Sequence, residues 1–247
     1  MEETRRTQWL LVSDLDGTLT GHDGGVRALA GLGVKVALVL NSSRPRASVM
    51  RTLDLLPAGI RHEGLITAMG TEVMVAGVDR ADWTERFNDW NRHPIDEFMG
   101  RMGILPHRPE YQGKYKASYH VPADRWQEYR RKALDLMPGS VVVTSGESDF
   151  DILPAAAGKD KAATWVARMM GFDPSKVIVA GDSGNDVDMF NAARMAIAVS
   201  NAREELVDRV NPAKTYFAAQ PHALGVIEGL RYWGALPAKE GAEEEGR

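Results

Sequence analysis

Trp9-Leu10-Leu11-Val12-Ser13-Asp14-Leu15-Asp16-Gly17-Thr18 decides the fold. Its unbroken apolar start reads as a strand buried on both faces, as parallel strands covered by helices are. Two carboxylates, Asp14 and Asp16, stand two residues apart where that strand gives way to a loop. In a doubly wound α/β sheet the carboxyl ends of the strands form the ligand crevice. One aspartate there can attack phosphorus as a nucleophile. The other, just beyond, can manage the leaving group's proton. The competing interpretation, a solvated acidic turn, loses weight once the rest of the chain is considered.

Outward from this run, strands alternate with helices, which argues a parallel sheet with helices on both faces. Residues 34–40 are rich in β-branched side chains and read as a second strand. Asn41-Ser42-Ser43-Arg44-Pro45 then opens a helix, with serines suited to the cap and Pro45 to the first turn. Leu65 to Ala68 reads as a third strand and Val73 to Val75 as a hairpin arm. A helix from Lys159 to about Met170, strands at 177–180 and 195–199, and a short strand at 216–218 complete this unit.

Composition changes between about 80 and 155, where three of the six tryptophans and four of the six tyrosines lie. The pattern there is helix (82–101), strand (116–121), helix (123–136), strand (140–144), strand (149–153), a compact α+β insert. The expected architecture is a doubly wound, Rossmann-like parallel-sheet core of residues 1–80 and 157–237 with an inserted cap at 81–156. Trp83, Trp90 and Trp126 read as cap core. The acidic stretch 238–247 has no large apolar residue and reads as a disordered tail.

The 247 residues suffice for one large α/β domain or a core plus an insert. A net charge of −4 with no long basic run argues against nucleic acid and anionic membranes as partners. The absence of cysteine excludes disulfides, thiolate metal sites and a cysteine nucleophile. No apolar run is long enough to span a bilayer, and the apolar run at 9–12 is too short for a signal-peptide core. A cytoplasmic enzyme, monomeric or a weak homodimer, is expected.

Gly181-Asp182-Ser183-Gly184-Asn185-Asp186 forms a second acidic loop, again at a strand's carboxyl end. Asp182 and Asp186 can turn into the same crevice as Asp14. Hard oxygen donors from two loops suit Mg²⁺. The plainer interpretation is a capped turn with Asp186 near a helix N-terminus. Ser42 ends the second strand, where its hydroxyl can bond a phosphate oxygen or merely cap a helix. Lys159 opens a helix, where its ammonium can screen a nucleophile from a phosphate dianion; Lys161 competes for that role.

Asp14-x-Asp16-Gly17-Thr18, Ser42, Lys159 and Gly181-Asp182-x-x-x-Asp186 together resemble the four ordered motifs of the haloacid dehalogenase superfamily of phosphohydrolases. The insert resembles the α+β cap of its sugar-phosphatase branch. Within that branch the chain is similar to the sucrose-6-phosphate and mannosylfructose-phosphate phosphatases. Gly70-Thr71-Glu72, Lys114 to His120, Ser145-Gly146, Asp149 to Pro154, Ser200-Asn201-Ala202 and His222 carry that likeness. Two positions depart from the pattern. Ser43 replaces a glycine of the second motif, giving Ser-Ser-Arg as in mannosyl-3-phosphoglycerate phosphatase. Asp160 replaces the glycine common after the motif lysine.

The resemblance implies an aspartyl-phosphate on Asp14 and Mg²⁺ held by Asp14, the Asp16 carbonyl, Asp182 and Asp186. Asp16 acts as acid and then base, and a nearby carboxylate with partial burial would keep it protonated when substrate arrives. Ser42 positions the phosphate and Lys159 neutralises charge. Lys116, Ser118 and His120 share one face of a regular strand, with Tyr115 and Tyr119 on the other. That polar face, with Asn185 and with Glu72 for a second ring, is expected to contact the sugar. A disaccharide phosphate such as sucrose-6-phosphate leads, followed by mannosyl-3-phosphoglycerate and hexose phosphates. A phosphomannomutase-type mutase and a non-catalytic sugar-phosphate-binding domain are the alternatives from other classes.

Overall fold

The computed structural model describes residues 8–31, 36–56 and 60–238. Residues 34 and 35 of the expected second strand and 239–247 of the expected tail lie outside the described residues. In chain order the strands are β1 (Trp9–Ser13), β2 (Val36–Asn41), β3 (Gly64–Thr67), β4 (Glu72–Val75), β5 (Val78–Asp79), β6 (Ala117–His120), β7 (Ser140–Ser145), β8 (Asp149–Pro154), β9 (Val177–Gly181), β10 (Met195–Ala198) and β11 (Thr215–Phe217). The α-helices are α1 (Asp23–Ala30), α2 (Arg46–Leu55), α3 (Ala81–Thr84), α4 (His93–Arg101), α5 (Trp126–Leu136), α6 (Lys159–Met169), α7 (Val187–Ala192), α8 (Glu204–Val207) and α9 (His222–Tyr232).

Eight strands form one sheet in the order β11-β10-β9-β1-β2-β3-β4-β5. The first six in that order are parallel, and β4 and β5 add an antiparallel edge. Successive side chains of a strand point to opposite faces. Leu10 and Val12 therefore pack with Ala162, Val166 and Phe190 of α6 and α7, while Leu11 faces Leu29 of α1 and Val226 of α9. The β1 side chains Leu10, Leu11 and Val12 are at most 1% exposed, and each contributes about 1.5–3 kcal/mol through burial. β1 lies between β2 and β9, so the chain turns one way after β1 and the other way before β9. This is the switch point at which α/β sheets open a crevice.

A second, three-stranded antiparallel sheet has the order β6-β8-β7. Ala117, Tyr119, Phe150 and Ile152 on one of its faces pack against Ile95 and Met99 of α4 and Tyr129 and Ala133 of α5. The opposite face carries Lys116, Ser118 and Asp151.

The expected helix over 82–101 is broken. α3 ends at Thr84, a 3₁₀ turn follows, and α4 starts afresh with Pro94 in its first turn. Proline lacks the N–H that a continuing helix needs, so it starts one instead. Trp83 also differs from expectation. It packs with Phe87 and with Trp165 of α6 in the main core, and its indole donates to the Gly70 carbonyl (2.9 Å). Trp126 packs in the smaller core, and Trp90 touches both.

The chain leaves the large sheet after Asp79 and returns at Pro154. The turn between β3 and β4 packs against the residue that opens α6: a Cβ on Gly70 would stand 2.3 Å from the Gly158 carbonyl oxygen. Both glycines have φ in the left-handed region, +82° and +138°, so neither position accepts a side chain.

Candidate active site

β1 and β9 run side by side in parallel, with Ser13 opposite Ala180. Their carboxyl ends deliver Asp14 and Asp182 to the same point, and the Asp14 N–H donates to the Ala180 carbonyl (2.9 Å). One carboxylate oxygen from each of Asp14, Asp182 and Asp186 lies within 4.8 Å of the other two, and all three residues are buried. Gly17 makes this convergence possible, because a Cβ there would stand 2.6 Å from Asp182 Oδ2. Thr18 Oγ donates to Asp182 Oδ1 (3.1 Å). Asp186 sits under its own loop, and its Oδ2 accepts from the N–H groups of Asp182 and Ser183 (3.1 and 3.3 Å).

Lys159, the first residue of α6, enters this cluster. Its ammonium donates to Asp14 Oδ1 (2.6 Å), Asn185 Oδ1 (2.6 Å) and Asp186 Oδ1 (2.7 Å). Lys161 lies about 200° further round the helix; it pairs with Asp160 at the surface instead. The departure at Asp160 is thus turned to Lys161.

Burial drives the Asp14 carboxyl well above its ordinary value. Lys159 opposes this, and Asp186 and Asp182 add to it. Burial and the Asp186 charge likewise push Asp182 up to about 6. Lys159 moves the other way: burial alone would lower it, but Asp14 and Asp186 hold it above the usual lysine range. The site is therefore short of positive charge. With all three carboxylates ionised, one ammonium leaves a deficit of two, which a divalent cation matches. The donors are hard oxygens, the set that Mg²⁺ prefers.

Asp16 differs from expectation. Its neighbour is a cation, not a carboxylate: Arg44 Nε lies 2.8 Å from Asp16 Oδ2, and the Asp16 side chain is 50% exposed. The contact is an ion pair without hydrogen-bond alignment, since Arg44 Nε has no hydrogen-bond partner. The guanidinium is held from behind by Ser48 (3.2 Å) and Thr52 (2.8 Å) of α2. Ser42 is buried beside it, its hydroxyl accepting from the Arg44 N–H (3.2 Å). Asn201 Nδ2 and the His222 ring both meet the Gly17 carbonyl (2.8 Å each), bracing the loop that carries Asp16.

The residues expected to meet the sugar are spread out. Asn185 joins Lys159 in the acidic cluster. Lys116 is 4% exposed and bridges the two sheets, donating to the Ser43 carbonyl (2.9 Å) while lying 3.4 Å from Asp151. Ser118 is fully buried and spends its hydroxyl on Asp151, its cross-strand partner, so it reaches no ligand directly in this conformation. His120 lies at the opposite end of β6, stacked on His107. Glu72 accepts from Thr67 Oγ (2.7 Å) and the Arg46 N–H (3.2 Å). With Lys114, Tyr115 and Asn88 it lines a polar cleft of about 420 Å³.

Glu205 of α8 escaped the sequence reading. Its carboxylate accepts from the N–H groups of Gly184 (2.9 Å) and Gly146 (3.1 Å) and from Ser145 Oγ (3.2 Å). One carboxylate therefore ties the tip of the β7–β8 hairpin to the loop carrying Asp186. Two consecutive glutamates on a short helix gave no signal of this, because the partners lie 21 to 60 residues away.

A parallel sheet with an acidic pair at its switch point, a lysine behind it and an inserted α+β unit defines a phosphohydrolase of the haloacid dehalogenase superfamily. Residues 7–234 match the sucrose-6F-phosphate phosphohydrolase family, and the chain belongs to it. It is accordingly a phosphoric monoester hydrolase of the sugar-phosphatase type. Mannosylfructose-phosphate phosphatase of Agrobacterium fabrum is 29% identical, over 92% of this chain and 98% of that one. A probable sucrose-phosphatase (3a) of Arabidopsis thaliana is 28% identical over 92% of this chain, and the match spans 60% of its own length. The chain spans a similar share, 59% and 61%, of two sucrose-phosphatases of Nicotiana tabacum. Among solved structures, the sucrose-phosphatase of Synechocystis sp. PCC6803, in complex with sucrose and phosphate, has a TM-score of 0.85 at 25% identity. That match covers 92% of this chain and 98% of the other. Among the described residues no helix is long and apolar enough to cross a membrane.

Proposed function

We propose that the protein hydrolyses a disaccharide phosphate of the sucrose-6-phosphate kind, with Mg²⁺, through an aspartyl-phosphate on Asp14. The observation that carries this reading is the convergence of Asp14, Asp182 and Asp186 around one point, with the Lys159 ammonium paired to Asp14 and Asp186. Asp14, Asp182, Asp186 and the Asp16 carbonyl would hold the ion. It would supply the positive charge that the transferring phosphoryl group needs.

Phosphoryl transfer demands placement and charge neutralisation above all. Lys159 fixes Asp14 through Oδ1, and no hydrogen bond from the described residues falls on Oδ2. That free oxygen attacks phosphorus in line. The bond from phosphorus to the sugar oxygen breaks, and Asp16 gives that oxygen a proton. Asp16 then takes a proton from the water that attacks the aspartyl-phosphate, and inorganic phosphate leaves with Asp14 restored. Asp16 must release Arg44 to do this, and its half-exposed position leaves it room to turn. Ser42 and nearby backbone N–H groups orient the phosphate.

Residues 81–156 act as a cap that chooses the sugar. Lys116, which already reaches the Ser43 carbonyl, supports closure over the phosphate site. Ser118 contributes through Asp151, and Asn185 meets the substrate from the core side. The cleft beside Glu72 is large enough to take a second ring.

The test is phosphate release from a panel of sugar phosphates with Mg²⁺, ranked by kcat/KM. Disaccharide phosphates should rank first, with mannosyl-3-phosphoglycerate and hexose phosphates below them, and Asp14→Asn should abolish turnover. A flat ranking would remove the disaccharide assignment. Positional exchange of phosphate without release would make the enzyme a mutase.

A further inference from the structure

We infer that His107, His120 and Asp149 form a second metal site, for a borderline divalent cation such as Zn²⁺, at the outer end of the smaller sheet. One donor atom from each residue lies within 4.8 Å of the other two. His120 of β6 and Asp149 of β8 are direct cross-strand partners. His107 belongs to the segment laid along the free edge of β6. The His107 N–H donates to the Ser118 carbonyl and the His120 N–H to the Leu105 carbonyl (2.9 Å each). All three backbones are thus fixed before any ion binds, which lowers the ordering cost of binding.

A separate observation points to a ligand. His107 Nε2 is buried and has no hydrogen-bond partner. Its nearest acid, Asp149 Oδ1, lies 3.4 Å away, within ion-pair range but outside hydrogen-bond geometry. A buried nitrogen left without a partner is costly, and a cation would satisfy it. The 3.4 Å separation is also close to the donor–donor edge of a tetrahedral zinc site, about 3.3 Å for donors at 2.0–2.1 Å.

The donor chemistry separates this site from the catalytic one. Two imidazoles and one carboxylate suit Zn²⁺, Co²⁺ or Ni²⁺, whereas an all-carboxylate cluster suits Mg²⁺. Three protein ligands leave a fourth position open, and the exposed His120 and half-exposed Asp149 leave that position in solvent. In the structure the two rings are stacked, with centroids 3.9 Å apart and planes 13° from parallel. A metal lies in the plane of an imidazole that binds it, so the rings must turn edge-on to share one ion. Ser148 Oγ, 3.5 Å from His120 Nδ1, is the weak contact His120 gives up.

The experiment uses the full chain, stripped with chelator and held in excess Mg²⁺ so that the catalytic cluster is saturated. Titration with Co²⁺ should fill one further site with ligand-field bands of a low-coordinate ion, and Zn²⁺ should displace them. Zn²⁺ should also shift the ring proton resonances of two histidines. His107→Ala and His120→Ala should each weaken binding by more than about 100-fold, beyond the loss expected from an outer-shell change. Asp14→Asn should leave it unaltered, which separates this site's failure from failure of the catalytic assignment. Absence of Co²⁺ binding in excess Mg²⁺ would overturn the inference, as would equal affinity in His107→Ala with native circular dichroism.

Discussion

Replacing Lys159 with methionine removes the positive charge that lets three carboxylates share one buried point. Lys159 is 2% exposed, and its ammonium makes hydrogen bonds of 2.6, 2.6 and 2.7 Å to Asp14, Asn185 and Asp186. Breaking a buried pair by deleting one partner costs about 3–5 kcal/mol, because the other charge stays behind unpaired. Here two acids are left behind, but proton uptake by Asp14, already displaced upward, limits the loss to the lower part of that range. The expected result in chelator is a loss of about 3 kcal/mol in urea unfolding at neutral pH. For a chain of this size that corresponds to a fall of roughly 6–12 °C in Tm, at about 2–4 °C per kcal/mol. Saturating Mg²⁺ should recover more of the stability of the variant than of the wild type, because the ion then meets a site one charge more negative. Turnover should stay about 100- to 1,000-fold down even with Mg²⁺, the cost of one missing charge-stabilising group. If Lys159→Met unfolds in chelator at the wild-type urea concentration, the lysine is not the counter-charge and the electrostatic account of the site is wrong.

Three further perturbations test other parts of the structure. Glu205→Ala removes an acceptor shared by Gly184, Gly146 and Ser145, so the Gly146 amide should exchange with solvent faster, by about ten- to a hundredfold for a loss of about 1.5–3 kcal/mol; unchanged exchange would show that Glu205 does not tie the hairpin down. Gly17→Ala combines a φ of +78° with a Cβ only 2.6 Å from Asp182, so calorimetry should find Mg²⁺ binding weakened at least tenfold while the fold survives. Asp96 gives a pH test: burial alone would raise its pKa, but hydrogen bonds from Arg92 and Tyr119 outweigh that and hold it below the ordinary carboxylate value. A depressed acid stabilises the fold above its unfolded pKa of about 3.9 and loses that contribution as pH falls through the lower folded value. Asp96→Asn should therefore be less stable than wild type at pH 7, with the gap closing in strong acid; a gap constant with pH would exclude the linkage.

The acidic crevice was legible from the chain because strand ends and loop residues are local features. Asp14 stands two places after the apolar run 9–12, Asp182 two places after the run 177–180, and a parallel sheet has one place where such ends meet. The alternation on β6 was legible for the same reason. Relations set by register or by distant packing were not. Nothing near Asp16 signals that Arg44 faces it, since that depends on how β2 aligns beside β1. Nothing near Ser118 signals that its hydroxyl is taken by Asp151, 33 residues on. Trp83 looked like part of the insert by position, yet its partner Trp165 lies on a helix after the insert has ended. The broken helix at 82–101 did carry a local signal, Pro94, which starts a helix rather than continuing one.

Gly70 and Gly158 have a further consequence. Their contact clamps the turn after β3 to the residue that precedes Lys159, where the polypeptide comes back from the smaller sheet. A foreign insert would need to keep that clamp and also the ties that Lys116 makes to Ser43 and Glu205 makes to the β7–β8 hairpin. Such an arrangement makes ancestry of the chemistry and ancestry of the selectivity travel together, with two small, side-chain-free residues guarding the seam between them.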